Sequence, residues 1–296
     1  MKTNVIIGAT ASGKSAVAIE AALRTGAVIL SLDSLSIYKE IDIASAKPAP
    51  QERKGIVHEG IDLLYPDEPF NVATFMDLYR RTKKHCDEKG QPLLIVGGTS
   101  FYLKALIDGI SEIPEADFEL RKKVDTLMAD PIRAHRIVAE ADPETMKKID
   151  PNDRYRIEKM LTLYLQTGMP PSDWFAKHPP EPVLTEFTLY EITTGRDALR
   201  ERIVRRTRQM IENGLIDEVA CLERKYGRAP NPMGAIGIVE VLDYLDGKYG
   251  LQQMETAIAT HTAQLAKRQE TFNRNQFKEK FSATAETILQ KIVKGD

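Results

Sequence analysis

Residues 8–15 read Gly-Ala-Thr-Ala-Ser-Gly-Lys-Ser, which is a complete G-x-x-x-x-G-K-[ST] phosphate-loop pattern. The apolar run Val5-Ile6-Ile7 precedes it and the helix-like run Ala16–Arg24 follows it. In this strand–loop–helix setting, glycines let backbone N–H groups turn onto phosphate oxygens at a helix N-terminus. Lys14 can reach the outer phosphate, and the Ser15 hydroxyl can ligate Mg²⁺. The stretch predicts a site for a diphosphate or triphosphate and leaves the reaction open.

The rest of the first third of the chain alternates strands and helices. The predicted strands are Asn4–Ile7, Val28–Leu32 and Leu93–Val96. The predicted helices are Lys14–Thr25, which Gly26 closes, a helix that Asn71 caps and that runs to about Glu88 before Gly90 ends it, and Phe101–Ile107. This alternation predicts an α/β fold of the P-loop NTPase-like class, a parallel sheet flanked by helices. Ligands of such sheets bind outside the carboxyl ends of the strands. We therefore expect Gly8–Ser15, Asp33 and Gly97-Gly98-Thr99 to share one crevice.

Beyond the first third, the pattern becomes all-helical. Residues 114–182 contain helix signals at Arg121–Met128, Pro131–Ala141 and Asp153–Thr167. The proline-rich stretch Gly168–Pro182 predicts a loop, and strand character returns at Phe187–Ile192. We interpret 114–182 as an all-helical insertion domain in a catalytic core formed by 1–113 and 183–296. A separate tandem domain is the alternative, which the returning strand disfavours.

Composition narrows the class of protein. The chain has 296 residues, and a net charge of −2 argues against a globally basic nucleic-acid binder while leaving local basic patches possible. No apolar run approaches the ~20 residues that span a bilayer, and the N-terminus enters a strand without a signal peptide. The two cysteines, Cys86 and Cys221, are far apart in sequence, which indicates reduced thiols and no zinc site. We expect a cytoplasmic protein that does not enter a membrane.

Two basic helices are candidate anion-binding elements. Gly195–Met210 carries six arginines, of which Arg202 and Arg206 share a face, and arginine suits phosphate oxygens. Gln264–Arg274 places Phe272 among cationic residues, a combination that suits base stacking with backbone contact. For either helix a solvated charged face is the structural alternative.

The acid best placed for chemistry is Asp33. The strand Leu93–Val96 leads into glycines, so it lacks the carboxylate that many phosphate-loop NTPases use to hold their metal. Asp33 follows the second strand, where an acid facing a phosphate loop suits a general base acting on an acceptor. A turn or helix-cap role for Asp33 is the alternative.

Taken in order, these motifs resemble those of the bacterial-type tRNA dimethylallyltransferases, also called tRNA isopentenyltransferases. The matching pieces are Gly8–Ser15, Asp33-Ser34 through Ile37-Tyr38, Asp42-Ile43 with Ala46-Lys47-Pro48, Gly97-Gly98-Thr99, Asn152-Asp153 with Arg156, Arg202-Ile203 through Arg206, and Gln264–Gln269. The resemblance implies transfer of a dimethylallyl group from dimethylallyl diphosphate to N6 of the tRNA adenosine directly 3′ of the anticodon (position 37). It also implies that the helical insertion grips the anticodon stem-loop.

The resemblance assigns roles to individual residues. It implies that Asp33 is the base. The candidates for stabilising the departing diphosphate are Lys14, the Thr10 hydroxyl, Mg²⁺ at the Ser15 hydroxyl, and Arg206, the last carried over from the family pattern. The implied diphosphate-binding residues are Gly8, Ala9, Thr10, Ala11, Ser12, Gly13, Lys14 and Ser15. The implied tRNA-binding residues are Asp33, Ser34, Leu35, Ser36, Thr99, Arg121, Tyr155, Arg156, Lys159, Lys267, Arg268, Phe272 and Arg274. The expected partners are tRNA and dimethylallyl diphosphate, with the protein acting as a monomer.

The chain departs from the family pattern at several positions. Ile238-Val239 replace the usual tyrosine and basic residue, which puts RNA contacts by this loop in doubt. Lys159 stands where arginine is usual, and Phe272 where tryptophan is common. Asp42–Ser45 replaces a more usual Asp-Ile-Gly-Thr. The sequence does not contain the Cys/His zinc finger that is appended in eukaryotic members, so we expect a bacterial protein.

Three other functions also use a phosphate loop. A small-molecule kinase would share the loop and the acid after the second strand. An adenylate isopentenyltransferase would use a free nucleotide as acceptor, which the long insertion and the basic helix Gln264–Arg274 disfavour. A non-catalytic nucleotide switch or RNA-binding module is the third.

Overall fold

The computed structural model describes residues 2–111 and 113–295, which divide into two compact units. One unit joins the chain up to Ile107 with the chain from Leu184 onward, and the other is Asp108–Val183. The sequence-based division places the insertion at 114–182, inside the second unit. Each unit has its own core and is described separately below.

The first unit alternates strands and helices. In chain order its elements are β1 (Thr3–Gly8), α1 (Lys14–Thr25), β2 (Val28–Leu32), β3 (His58–Glu59), α2 (Val72–Lys89), β4 (Leu93–Gly97) and α3 (Ser100–Asp108) before the insertion. The insertion contributes α4 (Phe118–Leu127), α5 (Pro131–Ala141), α6 (Pro143–Met146), α7 (Arg154–Thr167) and α8 (Pro171–Lys177). The first unit then continues with β5 (Thr188–Ile192), α9 (Arg196–Glu212), α10 (Leu215–Tyr226), a 3₁₀ turn (Asn231–Gly234), α11 (Ile238–Leu245), α12 (Leu251–Gln276), β6 (Phe281–Ala283) and α13 (Ala285–Lys294).

The strands of the described chain form one six-stranded sheet in the order β3-β2-β4-β1-β5-β6, and each neighbouring pair is parallel. Ile7 of β1 pairs with Gly97 of β4, which pairs in turn with Leu32 of β2. The segments that follow these three strands therefore leave the sheet at one level, at the edge where α/β proteins bind ligands. The predicted fold class, a parallel sheet flanked by helices, is confirmed.

Both faces of the central strands are buried. Val5, Ile6 and Ile7 are fully inaccessible although they point alternately to opposite faces. On one face, Ile6 packs with the buried side chains of α1 and with Ile288 of α13. This explains why the strands read as continuous apolar runs and not as alternating ones.

Gly97 permits a close approach between β4 and β2. A Cβ atom built at Gly97 would lie 2.0 Å from the Leu32 carbonyl oxygen, which a side chain cannot tolerate. The same carbonyl accepts a hydrogen bond from the Thr99 N–H at 3.1 Å. The glycine therefore determines how closely the segment after β4 approaches the segment after β2.

The second unit is a small helical domain with its own apolar core, centred on Val124, Val138 and Leu161. Aspartates cap its helices: Asp117, Asp130 and Asp153 each accept a hydrogen bond from the N–H three residues later, at the start of α4, α5 and α7.

The predicted loop Gly168–Pro182 is wrong in part, because Pro171–Lys177 forms α8. Pro171 occupies the first helical turn, where its missing N–H costs nothing. Asp142 accepts hydrogen bonds from the N–H groups of Thr145 (3.1 Å) and Ser172 (2.7 Å). Burial acts to raise the pKa of Asp142, but these bonds lower it overall. A carboxylate thirty residues upstream thus holds the start of α8.

Local signals located most other elements. The predicted bounds of α1, β2 and α5 match those observed, and Asn71 and Gly90 cap α2 as expected. The helix predicted at Arg121–Met128 begins earlier, at Phe118. In the part of the chain that the structure covers, we find no helix with the length and apolarity to cross a membrane.

Replacing Gly97 by alanine should destabilise the sheet. The new methyl would collide with the backbone of β2, so we expect Gly97→Ala to lower the free energy of unfolding by about 3 kcal/mol in urea. Gly195→Ala is the matched control, because a Cβ there meets no atom within 4 Å. The control should stay within about 1 kcal/mol of the parent protein. Equal stabilities of the two variants would contradict this account of Gly97.

Candidate functional site

The phosphate loop links β1 to α1 through an unusual backbone. Gly13 has φ +95° and Ala11 has φ +61°, so two residues lie in the left-handed region within three positions. Alternating left- and right-handed residues turn successive N–H groups to one side and form an anion-binding concavity. Gly13 caps α1 without a side-chain hydrogen bond, which leaves the first-turn N–H groups for an anion.

Lys14 lies against this loop. Its ammonium donates hydrogen bonds to the carbonyls of Gly8 (3.0 Å) and Ala9 (2.6 Å). Burial lowers the pKa of Lys14 to about 8; the nearby carboxylate of Asp33 acts in the opposite direction, and Arg206 lowers it further. Lys14 is therefore a cation whose charge is costly unless an anion joins it.

Asp33 is held by the turn that follows β2. Its Oδ1 accepts hydrogen bonds from the N–H groups of Leu35 (2.9 Å) and Ser36 (3.1 Å). The Ser34 N–H donates to the Thr99 hydroxyl oxygen at 3.2 Å, which ties this turn to the end of β4. The predicted turn role and the predicted site role of Asp33 are thus compatible, because the turn uses one carboxylate oxygen.

Helix α9 supplies the arginines nearest the loop. Arg202 Nη1 donates to the Ser12 carbonyl at 3.4 Å. Burial lowers the pKa of Arg206, with Asp33 acting in the opposite direction, so the two side chains are electrostatic neighbours. Within the described chain, the other arginines of α9 make no hydrogen bond to the loop; Arg208, for example, pairs with Glu255 at 2.7 Å.

A cavity of about 550 Å³ lies at the ends of β1, β2 and β4. Its polar lining residues include Thr10, Asp33, Ser34, Thr99, Arg206, Arg268 and Gln269. Its apolar lining residues include Leu35, Phe101, Met210, Ile236, Ile258, Leu265 and Phe272. The cavity thus combines a charged part, which can bind an anion, with apolar and aromatic walls.

One wall of the cavity is the loop at Gly234–Ile236. The buried Glu240 carboxylate accepts a hydrogen bond from the Gly237 N–H at 2.6 Å and contacts His261 Nδ1 of α12 at 2.5 Å. Gly237 has φ +94°, a conformation that favours glycine. Ile238, where the family pattern has an aromatic residue, is fully buried beside this loop.

A second wall is the loop after the Asp33 turn, which brings Ala44 and Ser45 to the cavity. Glu218 of α10 accepts hydrogen bonds from three consecutive N–H groups, those of residues 42–44, at 2.7–2.9 Å. Burial nevertheless raises the pKa of Glu218. The buried Lys47 pairs with Asp42 (2.6 Å) and Asp62 (2.5 Å), which is a structural role.

The predicted tRNA-binding residues divide into three groups. The first lines the cavity and comprises Asp33, Ser34, Leu35, Thr99, Arg268 and Phe272; Ser36 is buried behind it. The second comprises Lys267 and Arg274, which line a groove of about 760 Å³ between α9 and α12. The third lies in the helical unit, where Arg121 is exposed on α4 and Tyr155, Arg156 and Lys159 are exposed on α7.

Some residues of the site were not assigned from the sequence. Gln269 and Phe101 line the cavity, and Glu240 shapes its wall. The spacing of Leu265, Gln269 and Phe272 places all three on one face of α12, a signal that the sequence contained. Glu240 offered no such signal, since its partners come from the tertiary structure.

Comparisons with known proteins agree on one family. A family model described as "IPP transferase" matches residues 36–276, and one described as "Isopentenyl transferase" matches residues 1–63. A tRNA dimethylallyltransferase of Sulfurimonas denitrificans is 50% identical over 283 residues, which cover 96% of this chain and 95% of that protein.

Solved structures give the same result. The full-length tRNA isopentenylpyrophosphate transferase from Bacillus halodurans matches with a TM-score of 0.73 and 30% identity, over 99% of this chain and 95% of that one. A eukaryotic dimethylallyltransferase acting on tRNA shares the fold, with a TM-score of 0.84 at 24% identity over 98% of this chain and 76% of that one.

The lowered pKa of Lys14 predicts how anion binding depends on pH. An anion favours the protonated lysine, so affinity for inorganic diphosphate should fall as the pH rises above about 8, by up to about tenfold per pH unit. Well below pH 8 the lysine is charged with or without the anion, and this dependence disappears. Calorimetric titration from pH 6.5 to 9.5 measures the effect.

Lys14→Arg is the control, because arginine stays protonated throughout this range. The ratio of the two dissociation constants cancels the ionisation of diphosphate itself. We expect the dissociation constant of the parent, divided by that of the variant, to increase as the pH is raised beyond 8. A constant ratio would show that Lys14 is already protonated at high pH in the free protein.

Proposed function

Because the chain belongs to the IPP transferase family, we propose that it transfers the dimethylallyl group of dimethylallyl diphosphate to N6 of the tRNA adenosine directly 3′ of the anticodon, at position 37. The observation that carries this proposal is a cavity that brings Thr10 of the phosphate loop, Asp33 and Arg206 together with apolar and aromatic walls. Relatives named as tRNA dimethylallyltransferases support this function over a kinase or an adenylate isopentenyltransferase.

The donor's diphosphate would occupy the phosphate loop. The first-turn N–H groups of α1 and the cations of Lys14 and Arg206 are the groups that bind it. The carbon–oxygen bond of the donor breaks and diphosphate leaves with the electron pair, so negative charge grows on the bridging oxygen. Preorganised cations and donors that face this oxygen stabilise the transition state more than the ground state.

The acceptor would approach Asp33. The N6 amine of adenine is a weak nucleophile because its lone pair is delocalised into the ring, and loss of a proton during attack removes this handicap. Turn N–H groups hold Oδ1 of Asp33, which leaves Oδ2 to accept the proton. The nitrogen–carbon bond forms as the carbon–oxygen bond breaks, and the proton moves to the carboxylate.

The apolar walls suit the two remaining groups. We propose that aliphatic residues such as Met210, Ile236 and Leu265 surround the dimethylallyl chain and exclude water from it. The aromatic rings of Phe101 and Phe272 offer surfaces on which an extruded adenine can stack. Extrusion from the anticodon loop costs a few kcal/mol and adds selectivity.

Magnesium is the proposed cofactor. The described residues contain no cluster of acidic, histidine or cysteine side chains that suits a metal ion. Mg²⁺ commonly keeps several waters and binds substrate phosphates with few protein ligands. The exposed Ser15 hydroxyl at the start of α1 fits that demand together with the diphosphate itself. A bound Mg²⁺ would neutralise part of the charge of the leaving group.

We propose that the helical unit binds the anticodon stem-loop, and the net charge of the unit limits which part of it can contact RNA. Residues 108–183 contain eleven Lys and Arg but fifteen Asp and Glu, a net charge of −4. RNA therefore needs a local basic patch, which the exposed start of α7 offers. There Tyr155 is 70% exposed, and Lys159 Nζ lies 5.6 Å from the centroid of its ring. We propose this patch, with Arg156, as the RNA contact of the unit.

Transfer of one C5H8 unit to RNA tests the proposal, together with the role of Asp33. An unmodified anticodon stem-loop incubated with dimethylallyl diphosphate and Mg²⁺ should gain that mass on its position-37 adenosine. Asp33→Asn keeps an Oδ1 acceptor for the turn and removes the base, so we expect turnover to fall by about 10²–10⁴. Affinity for the RNA should change less than threefold.

Asp67→Asn is the matched control, since Asp67 is exposed and outside the cavity. If the parent protein transfers no C5H8 unit to the RNA, the proposed function is refuted. An active Asp33→Asn variant would refute only the assignment of the base.

The α7 patch predicts a salt dependence of RNA binding. Arg156→Ala should weaken stem-loop binding and reduce the slope of log affinity against log salt by about 1, because one phosphate contact is lost. Lys148→Ala removes the same charge from an exposed position of the same unit and should leave the slope unchanged. Fluorescence anisotropy from 50 to 300 mM salt measures both. Equal slopes for the two variants would place the RNA contact elsewhere.

A further inference from the structure

The Gln269 side chain joins three distant parts of the first unit. Its Oε1 accepts a hydrogen bond from the Thr10 N–H of the phosphate loop at 2.8 Å. Its Nε2 donates to the Gly98 carbonyl after β4 at 3.0 Å. One carboxamide of α12 thus bonds the backbones of two loops that border the cavity.

The lack of a side chain at Gly98 makes room for this contact. A Cβ atom at residue 98 would lie 2.5 Å from Gln269 Nε2, so a side chain there would push the amide away. Gly98 does not have a positive φ, so its backbone conformation does not explain the glycine. The close approach of Gln269 explains it instead.

The bond to Thr10 has a consequence for the phosphate loop. In a phosphate loop the backbone N–H groups face the anion, but the Thr10 N–H is directed to Gln269. The next residue, Ala11, has φ +61°, which costs an L-residue about 1 kcal/mol and needs support from its surroundings. The Gln269 contact lies directly beside this strained position and fixes the backbone from which the Thr10 side chain extends.

We propose that Gln269 is a positioning residue, which holds Thr10 so that its hydroxyl donates a hydrogen bond to the bridging oxygen of the departing diphosphate. This inference rests on the proposed function. Thr10 and Gln269 both line the cavity with Asp33 and Arg206. During transfer the carbon–oxygen bond breaks, the oxygen keeps the electron pair, and the new nitrogen–carbon bond releases its proton to Asp33. The hydroxyl assists only as the oxygen gains charge, so its loss affects kcat more than KM.

A double-mutant cycle tests the proposal. Removal of one such transition-state contact costs about 10²–10³ in rate, so Thr10→Val should lower kcat by about a hundredfold. Gln269→Met removes both hydrogen bonds with similar volume and should lower kcat at least tenfold while KM for dimethylallyl diphosphate changes less than threefold. If Gln269 acts through Thr10, Gln269→Met should change kcat less than threefold in the Thr10→Val background.

The control variant is Gln252→Met, at an exposed position of the same helix. It should keep parental kcat and KM. The proposal would be overturned if the double variant lost kcat by the full product of the two single losses. A Gln269→Met variant with parental kcat would also overturn it. An inactive parent would instead refute the proposed function.

A second readout does not depend on turnover. Hydrogen exchange of the Thr10 amide, followed by NMR, should be at least tenfold faster in Gln269→Met than in the parent. The amide of Ser12, which donates to the Ala9 carbonyl at 3.2 Å, should keep its rate. Unchanged exchange at Thr10 would show that Gln269 does not hold this residue, whatever the enzyme's activity.

Discussion

Two cations and one carboxylate share the ends of β1 and β2. The Asp33 carboxylate interacts electrostatically with Lys14 and Arg206, yet burial lowers the pKa of both cations. The charged form of each cation is therefore costly in this poorly hydrated place, and an anion that enters gains more there than in water. The parallel register of β1, β4 and β2 makes this arrangement possible, because it brings the three strand ends to one level.

The same charge set explains why a phosphate loop suits the departure of diphosphate. Phosphoryl transfer commonly uses a metal-holding carboxylate after a neighbouring strand, but β4 ends at Gly97 and is followed by Gly98. Gly97 lets β4 approach the carbonyl of Leu32, and Gly98 makes room for Gln269. Glycine thus stands where a metal-holding acid would be expected, and its small size lets α12 approach the loop. In the proposed mechanism, Asp33 after β2 accepts the proton of the acceptor amine.

The sequence predicted those features that depend on local signals. The phosphate loop, the caps of α1 and α2, and the strands beside them follow from short motifs and apolar runs. Helix α8 was missed because Asp142 supports it from another part of the chain. Lys267 and Arg268 were given one role, yet they line different surfaces, since adjacent helical residues point about 100° apart. The bridge made by Gln269 links backbones that only the folded sheet brings together.

The central claim is that the phosphate loop holds a leaving group and transfers no phosphoryl group. Dimethylallyl diphosphate carrying ¹⁸O in the oxygen that bridges carbon and phosphorus tests it directly, with mass spectrometry of the released diphosphate and of the RNA. The account predicts that all of the label leaves with diphosphate and none enters the RNA. Label that stays with the five-carbon product, or appears in phosphorylated RNA, would contradict it.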